Sequence, residues 1–321
     1  MDTNEYSPLK IIHHIDKLKR KQPVMCQLDL TNICNYNCIF CTNKNKPNLE
    51  PNAELSFDMA KSILDQLSVL AIVGLEFTGG GEPLEYPYFR FIVEYGTNLG
   101  FQLGLITNGG KLGQFADILS HFCWIRVSID ASTEDTYYNI KKTKMPDLSI
   151  ISQLKSVTTG ASFIVVKENV HEMYSFALMA KQLGFDNCRF SYNHDLEDGN
   201  SYYEPIKSEI MSQLNEAESI EGLKVFSLKD RLNIWQPKTY DYCYYSDLAI
   251  IITADAKVYN CCEWKDDSNG CLGDLHNNSL KSLLLNRPPI NVKKCPPCWM
   301  DSKNILASYA MLDNPKHINF P

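Results

Sequence analysis

From Val24 to Tyr192 short apolar runs alternate with stretches whose apolar positions recur at helical spacing. The runs 24–30, 73–78, 101–107, 124–129, 162–167 and 187–192 read as strands. Between them lie segments with helical patterning: one opened by Ser56 as N-cap and running to Leu70, then 89–99, 111–121, 133–142, 148–157 and 171–183. Alternation of this kind predicts parallel βα units. Six strands are too few to close an eight-stranded barrel, so the expected fold is α/β, a partial (β/α)6 TIM-like barrel. In such barrels the working loops follow the C-terminal ends of the strands.

The flanks read differently. Residues 1–22 form a polar, basic amphipathic helix, with Leu9, Ile11, Ile12, Ile15 and Leu18 as the apolar positions that pack it on the outside of the main domain at 23–194. Residues 195–240 are a polar connector with scattered tyrosines and one helix near 206–217. Segment 241–300 holds six cysteines, short strands at 249–252 and 257–259, and the Pro-rich Arg287-Pro288-Pro289. It reads as a small metal-organised domain. The tail, 301–321, starts as a helix and carries no assigned function.

Charge and cysteine content narrow the classes. A net charge of −7 leaves no surplus of Lys and Arg for a broad phosphate-binding face, which argues against nucleic acid as a partner. The run Lys141-Lys142-Thr143-Lys144 is a local helix end rather than a basic patch. No apolar run is long enough to span a bilayer and the N-terminus has no signal-peptide core, so a soluble, cytoplasmic chain without a membrane partner is expected. Twelve cysteines in a chain of 321 residues without an export signal point to metal or redox chemistry rather than to disulfides. Cys26, Cys123 and Cys188 fall in or beside strands and read as core.

Cys34, Cys38 and Cys41 follow the first strand with the spacing C-x3-C-x2-C. Three such thiolates can grip three corners of an iron–sulfur cube and leave one iron open. A zinc knuckle would need a fourth Cys or His close by, and the next several residues offer none; thiols that are simply buried are the other alternative. With Phe40 just before the third cysteine, the loop resembles the signature of the radical S-adenosylmethionine (radical SAM) enzymes. The resemblance implies that the methionine moiety chelates the open iron and that reductive cleavage of the sulfonium gives a 5′-deoxyadenosyl radical. One βα unit later, Gly79-Gly80-Gly81-Glu82-Pro83 resembles the family's GGE motif, which implies contact of Gly80, Gly81 and Glu82 with the methionine amino group; by itself a glycine run is more often a tight turn. Thr107-Asn108-Gly109 resembles the ribose-contacting turn, Ser128 and Asp130 match a segment whose serine reaches the cofactor's carboxylate or ribose, and Asn169 matches another recurrent position. Where relatives carry an arginine after that aspartate this chain has Lys141, which offers a point charge without the planar fork, or is a solvated helix residue.

Cys243, Cys261, Cys295 and Cys298 form a second group, C-x17-C followed by C-x2-C. Four thiolates close either a zinc tetrahedron or a fully ligated [4Fe–4S] cluster, and spacing does not separate the two. In the context of the family the set resembles a twitch domain, the shortened SPASM domain with one auxiliary [4Fe–4S] cluster; Ala256 stands where a glycine is usual. Cys262 is the alternative to Cys261. Cys271 is either a small buried hydrophobe or a thiol that returns a hydrogen atom to a substrate radical, and His194, with Asp195, is a candidate base beyond the last strand.

The resemblance implies hydrogen abstraction from a C–H bond of a small polar molecule or a peptide. The expected outcome is two-electron oxidation, with the auxiliary cluster as electron acceptor and a flavodoxin or ferredoxin as reductant. Epimerisation and peptide crosslinking are the alternatives. No separate peptide-recognition domain precedes the barrel, which favours a small polar molecule such as a sugar. The rival from another class is a zinc-binding scaffold that kept the fold and lost the chemistry.

Overall fold

The computed structural model describes residues 6–43, 46, 49–193, 200–227, 229–232, 238–295, 298 and 300–311. Ten strands build one sheet: β1 Met25–Asp29, β2 Gly74–Thr78, β3 Gln102–Thr107, β4 Phe122–Ser128, β5 Thr158–Val165, β6 Asn187–Tyr192, β7 Lys224–Ser227, β8 Ala249–Ile252, β9 Lys257–Tyr259 and β10 Cys271–Asp274. Their order is β10-β9-β8-β1-β2-β3-β4-β5-β6-β7. Strands β1 to β7 pair parallel, β8 adds to β1 in parallel, and β9 and β10 return antiparallel as an outer meander. Among the described residues the two ends of this order, β10 and β7, are not paired with each other, so the sheet is an open, partial barrel.

All six expected strands form, and the sheet gains four more than that count. β8 and β9 coincide with the two short runs read from the C-terminal segment, but they extend the barrel sheet itself, because β8 lies beside β1 with Cys26 opposite Ile250. β7 and β10 had no apolar signal to announce them; their residues are mostly half-buried. β5 starts at Thr158, ahead of the expected 162, because Thr159 near the strand's start pairs with Ile125 of β4 and is held by Asp186, whose carboxylate accepts from the Thr159 N–H at 2.7 Å.

Two expected helices shrink to 3-10 turns, Leu112–Phe115 with Leu119–His121, and Ser149–Gln153. Gly113 weakens the first. At the second, Asp147 accepts from the Ser149 N–H at 2.9 Å and Ser152 Oγ donates to the Ser149 carbonyl at 2.9 Å, local bonds that compete with a helical ladder. The other helices form where the pattern puts them: Phe57–Val69, capped by Ser56 Oγ, which accepts from the Met59 N–H at 3.2 Å, then Phe89–Asn98, Glu134–Lys141 and Met173–Leu183. The expected connector also carries the helix Lys207–Glu218.

Alternation along the strands divides the sheet into two faces. Leu28, Leu75, Phe77, Leu103 and Leu105 are buried in one core with Ile63, Leu64 and Leu67 of the first barrel helix. Each such side chain stabilises by about 1.5–3 kcal/mol. Glu76, on the opposite face of β2, feels the charges of Asp29, Arg126 and Arg189 from three other strands, so these polar side chains share the barrel interior. Outside the barrel, the helices Tyr6–His13 and Asp301–Ala310 pack together, with Ile11, Leu18, Leu248 and Ala307 as their common core. Among the described residues no helix is long and apolar enough to cross a membrane.

Candidate cofactor site

The first thiol loop leaves the C-terminal end of β1 and is fastened by hydrogen bonds on three sides. The Gly81 N–H donates to the Thr31 carbonyl at 3.0 Å and the Glu82 N–H to the Ile33 carbonyl at 2.9 Å, which ties the loop to the turn after β2. The Ile39 N–H donates to the Ile140 carbonyl at 3.0 Å, and the Asn37 N–H to the Lys141 carbonyl at 3.3 Å, so the end of helix Glu134–Lys141 holds the far side. Asn108 Nδ2, after β3, donates to Asn35 Oδ1 at 2.7 Å. Cys34 is exposed and Cys38 and Cys41 half-buried, all three as free thiols. Desolvation pushes the Cys34 thiol up to about 11.

The glycine turn meets the cysteine loop so closely that side chains are excluded. A Cβ at Gly80 would come within 1.8 Å of Asn32 Oδ1, and one at Gly81 within 2.1 Å of the Ile33 carbonyl oxygen. Asn43 Nδ2 donates to the Gly80 carbonyl at 2.9 Å. Among the described residues Asn32 Oδ1 is buried without a hydrogen-bond partner, an acceptor left open at this turn. Glu82 faces inward: its carboxylate accepts from Thr107 Oγ1 at 2.6 Å, the Asn108 N–H at 2.7 Å and the Leu84 N–H at 3.2 Å. Burial pushes its carboxyl up to about 7 against the pull of those three donors.

Asp130, Lys141, Asn169 and Phe40 form one buried assembly. Lys141 Nζ pairs with Asp130, and it lies 5.4 Å from the centroid of the Phe40 ring. Burial opposes the Lys141 charge, but Asp130 and then Cys38 outweigh it and hold the ammonium above its ordinary range. Asp130 also accepts from the Ile164 N–H, while Asn169 Nδ2 donates to the Asp130 and Ile164 carbonyls at 2.9 Å each. Phe40 packs with Ile140 and Val166. These four residues brace the cysteine loop against β5 and the helix before it. Ser128, half-buried at the end of β4, receives a hydrogen bond from Ser162 Oγ at 3.3 Å.

The second thiol group is gathered from three distant segments. As thiolates Cys243 and Cys295 repel each other, and Cys243 also presses on Cys261 and Cys298. Cys262 hydrogen-bonds Cys261, and this bond together with burial raises the Cys261 thiol. Trp264 Nε1 donates to Cys295 Sγ at 3.4 Å and the Met300 N–H to Cys298 Sγ at 3.4 Å. Burial pushes Cys298 up to about 12. Lys265, just past this group, forms a buried ion pair with Asp29 at the end of β1, and Lys46 Nζ from beyond the first loop donates to the Lys265 carbonyl at 3.2 Å. Sequence reasoning missed this link, which has no local signature, and missed Trp264, a single aromatic in a polar stretch.

Cys271 stands on β10, three strands outward from β1, with its Sγ 3.9 Å from the Gly273 carbonyl oxygen. His194 and Asp195 lie outside the described residues. Among the described residues no three His, Cys, Asp or Glu side chains converge on one point as a single ion requires. A cluster asks for something else, one thiolate at each of several irons. The donor sets fit that demand by kind and number, and the open Asn32 acceptor beside Gly80 fits an incoming amino group.

A thiol loop at the end of β1, a glycine turn packed against it and a second thiol set beside the same sheet make up the donor arrangement of an iron–sulfur protein. Residues 28–156 match the Radical SAM superfamily, whose members bind S-adenosylmethionine and a [4Fe–4S] cluster. The cysteine-rich C-terminal segment fits an auxiliary-cluster domain of the twitch or SPASM type. The mycofactocin maturase MftC of Mycobacterium tuberculosis is 26% identical over 170 residues, 50% of this chain and 43% of that protein. The AdoMet-dependent heme synthase of Methanosarcina barkeri is 30% identical over 172 residues, 50% and 48%. The sporulation killing factor maturation protein SkfB of Bacillus subtilis is 25% identical over 268 residues, 78% and 63%. The chain thus spans 43% to 63% of the length of these relatives. The structure of Streptococcus suis SuiB bound to precursor peptide SuiA has the same fold, with a TM-score of 0.65 at 13% identity over 86% of this chain and 68% of that one.

Proposed function

We propose that this chain is a radical SAM enzyme that oxidises a peptide at a C–H bond, with an auxiliary cluster in the C-terminal segment as electron acceptor. The observation that carries this reading is that β8 and the Asp29–Lys265 pair bring the second thiol set to the strand whose end bears the first. Electron transfer between the two sites would then need no further domain. Two of the relatives, MftC and SkfB, are named for maturation, which supports a peptide over the sugar-like molecule expected from the sequence.

Cys34, Cys38 and Cys41 would hold the first cluster, and Cys243, Cys261, Cys295 and Cys298 the second. When bound, the first cluster and S-adenosylmethionine supply a 5′-deoxyadenosyl radical by one-electron reductive cleavage, and the second cluster supplies an electron sink. The residues of the chain orient and shield. Asn32 and the carbonyls of the Gly80 turn would receive the cofactor's amino group; Glu82, through its bonds to Thr107 and Asn108, would fix the turn that faces the ribose. Phe40 and the Asp130–Lys141 pair close the floor of the loop against water. His194 remains the candidate base for the proton lost on oxidation.

The heme synthase, the most identical of the three relatives, favours a second reading with a small-molecule substrate. One experiment separates the readings. The chain is reconstituted anaerobically, iron is counted, and 5′-deoxyadenosine is measured with peptides encoded beside the gene and with small polar candidates. About eight irons per chain and peptide-dependent loss of two hydrogens support the proposal. Turnover on small molecules alone supports the second reading. Deuterium entering the product from solvent would replace oxidation by epimerisation, and zinc with no thiolate-to-iron absorption would leave only a scaffold.

A further inference from the structure

At the N-terminal ends of β1, β2 and β3, the end of the barrel opposite the first thiol loop, lies a cavity of about 700 Å³. The start of each strand, Met25, Gly74 and Gln102, contributes to its floor, and the two helices from the chain's ends form its walls. Its charge is one-sided. Lys10, His13, His14, Lys17 and Lys303 all line it, and no Asp or Glu does among the described residues. Lys10 and Lys17 form no ion pair among the described residues, in a protein whose net charge is −7. Desolvation, then Lys10 and Arg189, pushes Lys303 down to about 8, and burial, His13 and Lys17 likewise lower His14. The charges of Lys10 and Lys17 are therefore met by no carboxylate in the described lining. The remaining lining is apolar, with Ile11, Val24, Val73 and Leu248.

We propose that this cavity is a binding site for a small organic phosphate, its apolar part seated on Ile11, Val24 and Leu248 and its phosphoryl oxygens held by Lys10, Lys17 and Lys303. Several cations around one cavity exceed what a monoanion neutralises, whereas a phosphate monoester carries −1.5 to −2 charges at neutral pH, a general value for such esters of roughly that size. Lysine is suited to this as a point charge, and charge-assisted hydrogen bonds to phosphate oxygens are the strong kind. The volume suits a ligand well below drug size up to drug size, since such pockets run to roughly 300–1,000 Å³. The site is separate from the first thiol loop, and two of its lining residues also sense the second thiol set: Tyr245 feels Cys262 and Cys261, and Lys303 feels Cys298.

Isothermal titration of the full, cluster-loaded chain with phenyl phosphate, inorganic phosphate and benzoate at matched ionic strength tests this. Saturable binding of phenyl phosphate is expected, tighter than either of the others and weakened about tenfold by Lys303→Met and by Lys17→Met separately. Lys17 and Lys303 stand on different helices, Ile15–Lys19 and Asp301–Ala310, so each variant guards against misfolding of the other, and the melting temperature of each without ligand confirms folding. Absence of saturable phenyl phosphate binding, affinity unchanged in both variants, or benzoate binding as tightly would each overturn the proposal.

Discussion

The two thiol regions reach a similar donor set by opposite routes. Cys34, Cys38 and Cys41 lie within one loop, and neighbouring strand-end turns hold that loop through backbone hydrogen bonds from Gly81, Glu82, Ile39 and Asn37. Cys243, Cys261, Cys295 and Cys298 come from three segments that meet only because β8 and β9 join the barrel sheet. The first geometry is fixed by short-range spacing and backbone; the second by a sheet edge and side chains such as Trp264 and Lys265. A local site tolerates distant damage, whereas an assembled one depends on every strut.

The largest effect sharpens that contrast at the thiols themselves. Cys34→Ala should abolish 5′-deoxyadenosine formation to background, while Cys243→Ala should leave cofactor cleavage measurable and stop product formation; chromatography of both products distinguishes them. Loss of cleavage in Cys243→Ala would show that the two regions are not separable.

Next come the buried struts. Lys265→Met leaves Asp29 charged and unpaired in the interior, as Lys141→Met does Asp130, and each should cost about 3–5 kcal/mol in denaturant unfolding. Only Lys265→Met should loosen the second thiol set first, read as faster release of the auxiliary cluster to a chelator. Equal release from both variants would break the comparison.

A smaller effect depends on pH. In the folded chain the Glu82 carboxyl keeps its proton up to about 7, whereas unfolded it releases it near 4.5. The folded state therefore binds more protons across that interval, and stability from this group is full below 4.5 and lost as pH rises through about 7. Glu82→Gln does not titrate and turns an amide donor toward Thr107 or Asn108, so it should be about 1–3 kcal/mol less stable at the acid end, with the difference narrowing toward neutral pH. A constant difference in melting temperature from pH 5 to about 8 would contradict this.

The smallest change should be a gain. Ala256, in the turn between β8 and β9, has φ of +60°, a conformation that suits glycine. Ala256→Gly should relieve about 1 kcal/mol, visible as a raised melting temperature with the first thiol loop unaffected.

By itself the sequence determined the six central strands, most of their helices and the places where the motif residues sit, because apolar period and strand-end spacing are local properties of the chain. It also singled out both groups of cysteines by their spacing. It did not disclose that Lys141 is sealed against Asp130 rather than solvated, or that Gly80 and Gly81 are small because Asn32 and Ile33 press on them. Nor did it show that the cysteine-rich segment continues the barrel sheet through β8, or that the two end helices enclose a basic cavity beneath it. Those outcomes rest on contacts between residues far apart in the chain, and a partner that is distant in sequence leaves no periodic trace at either position; only folding decides which surfaces meet.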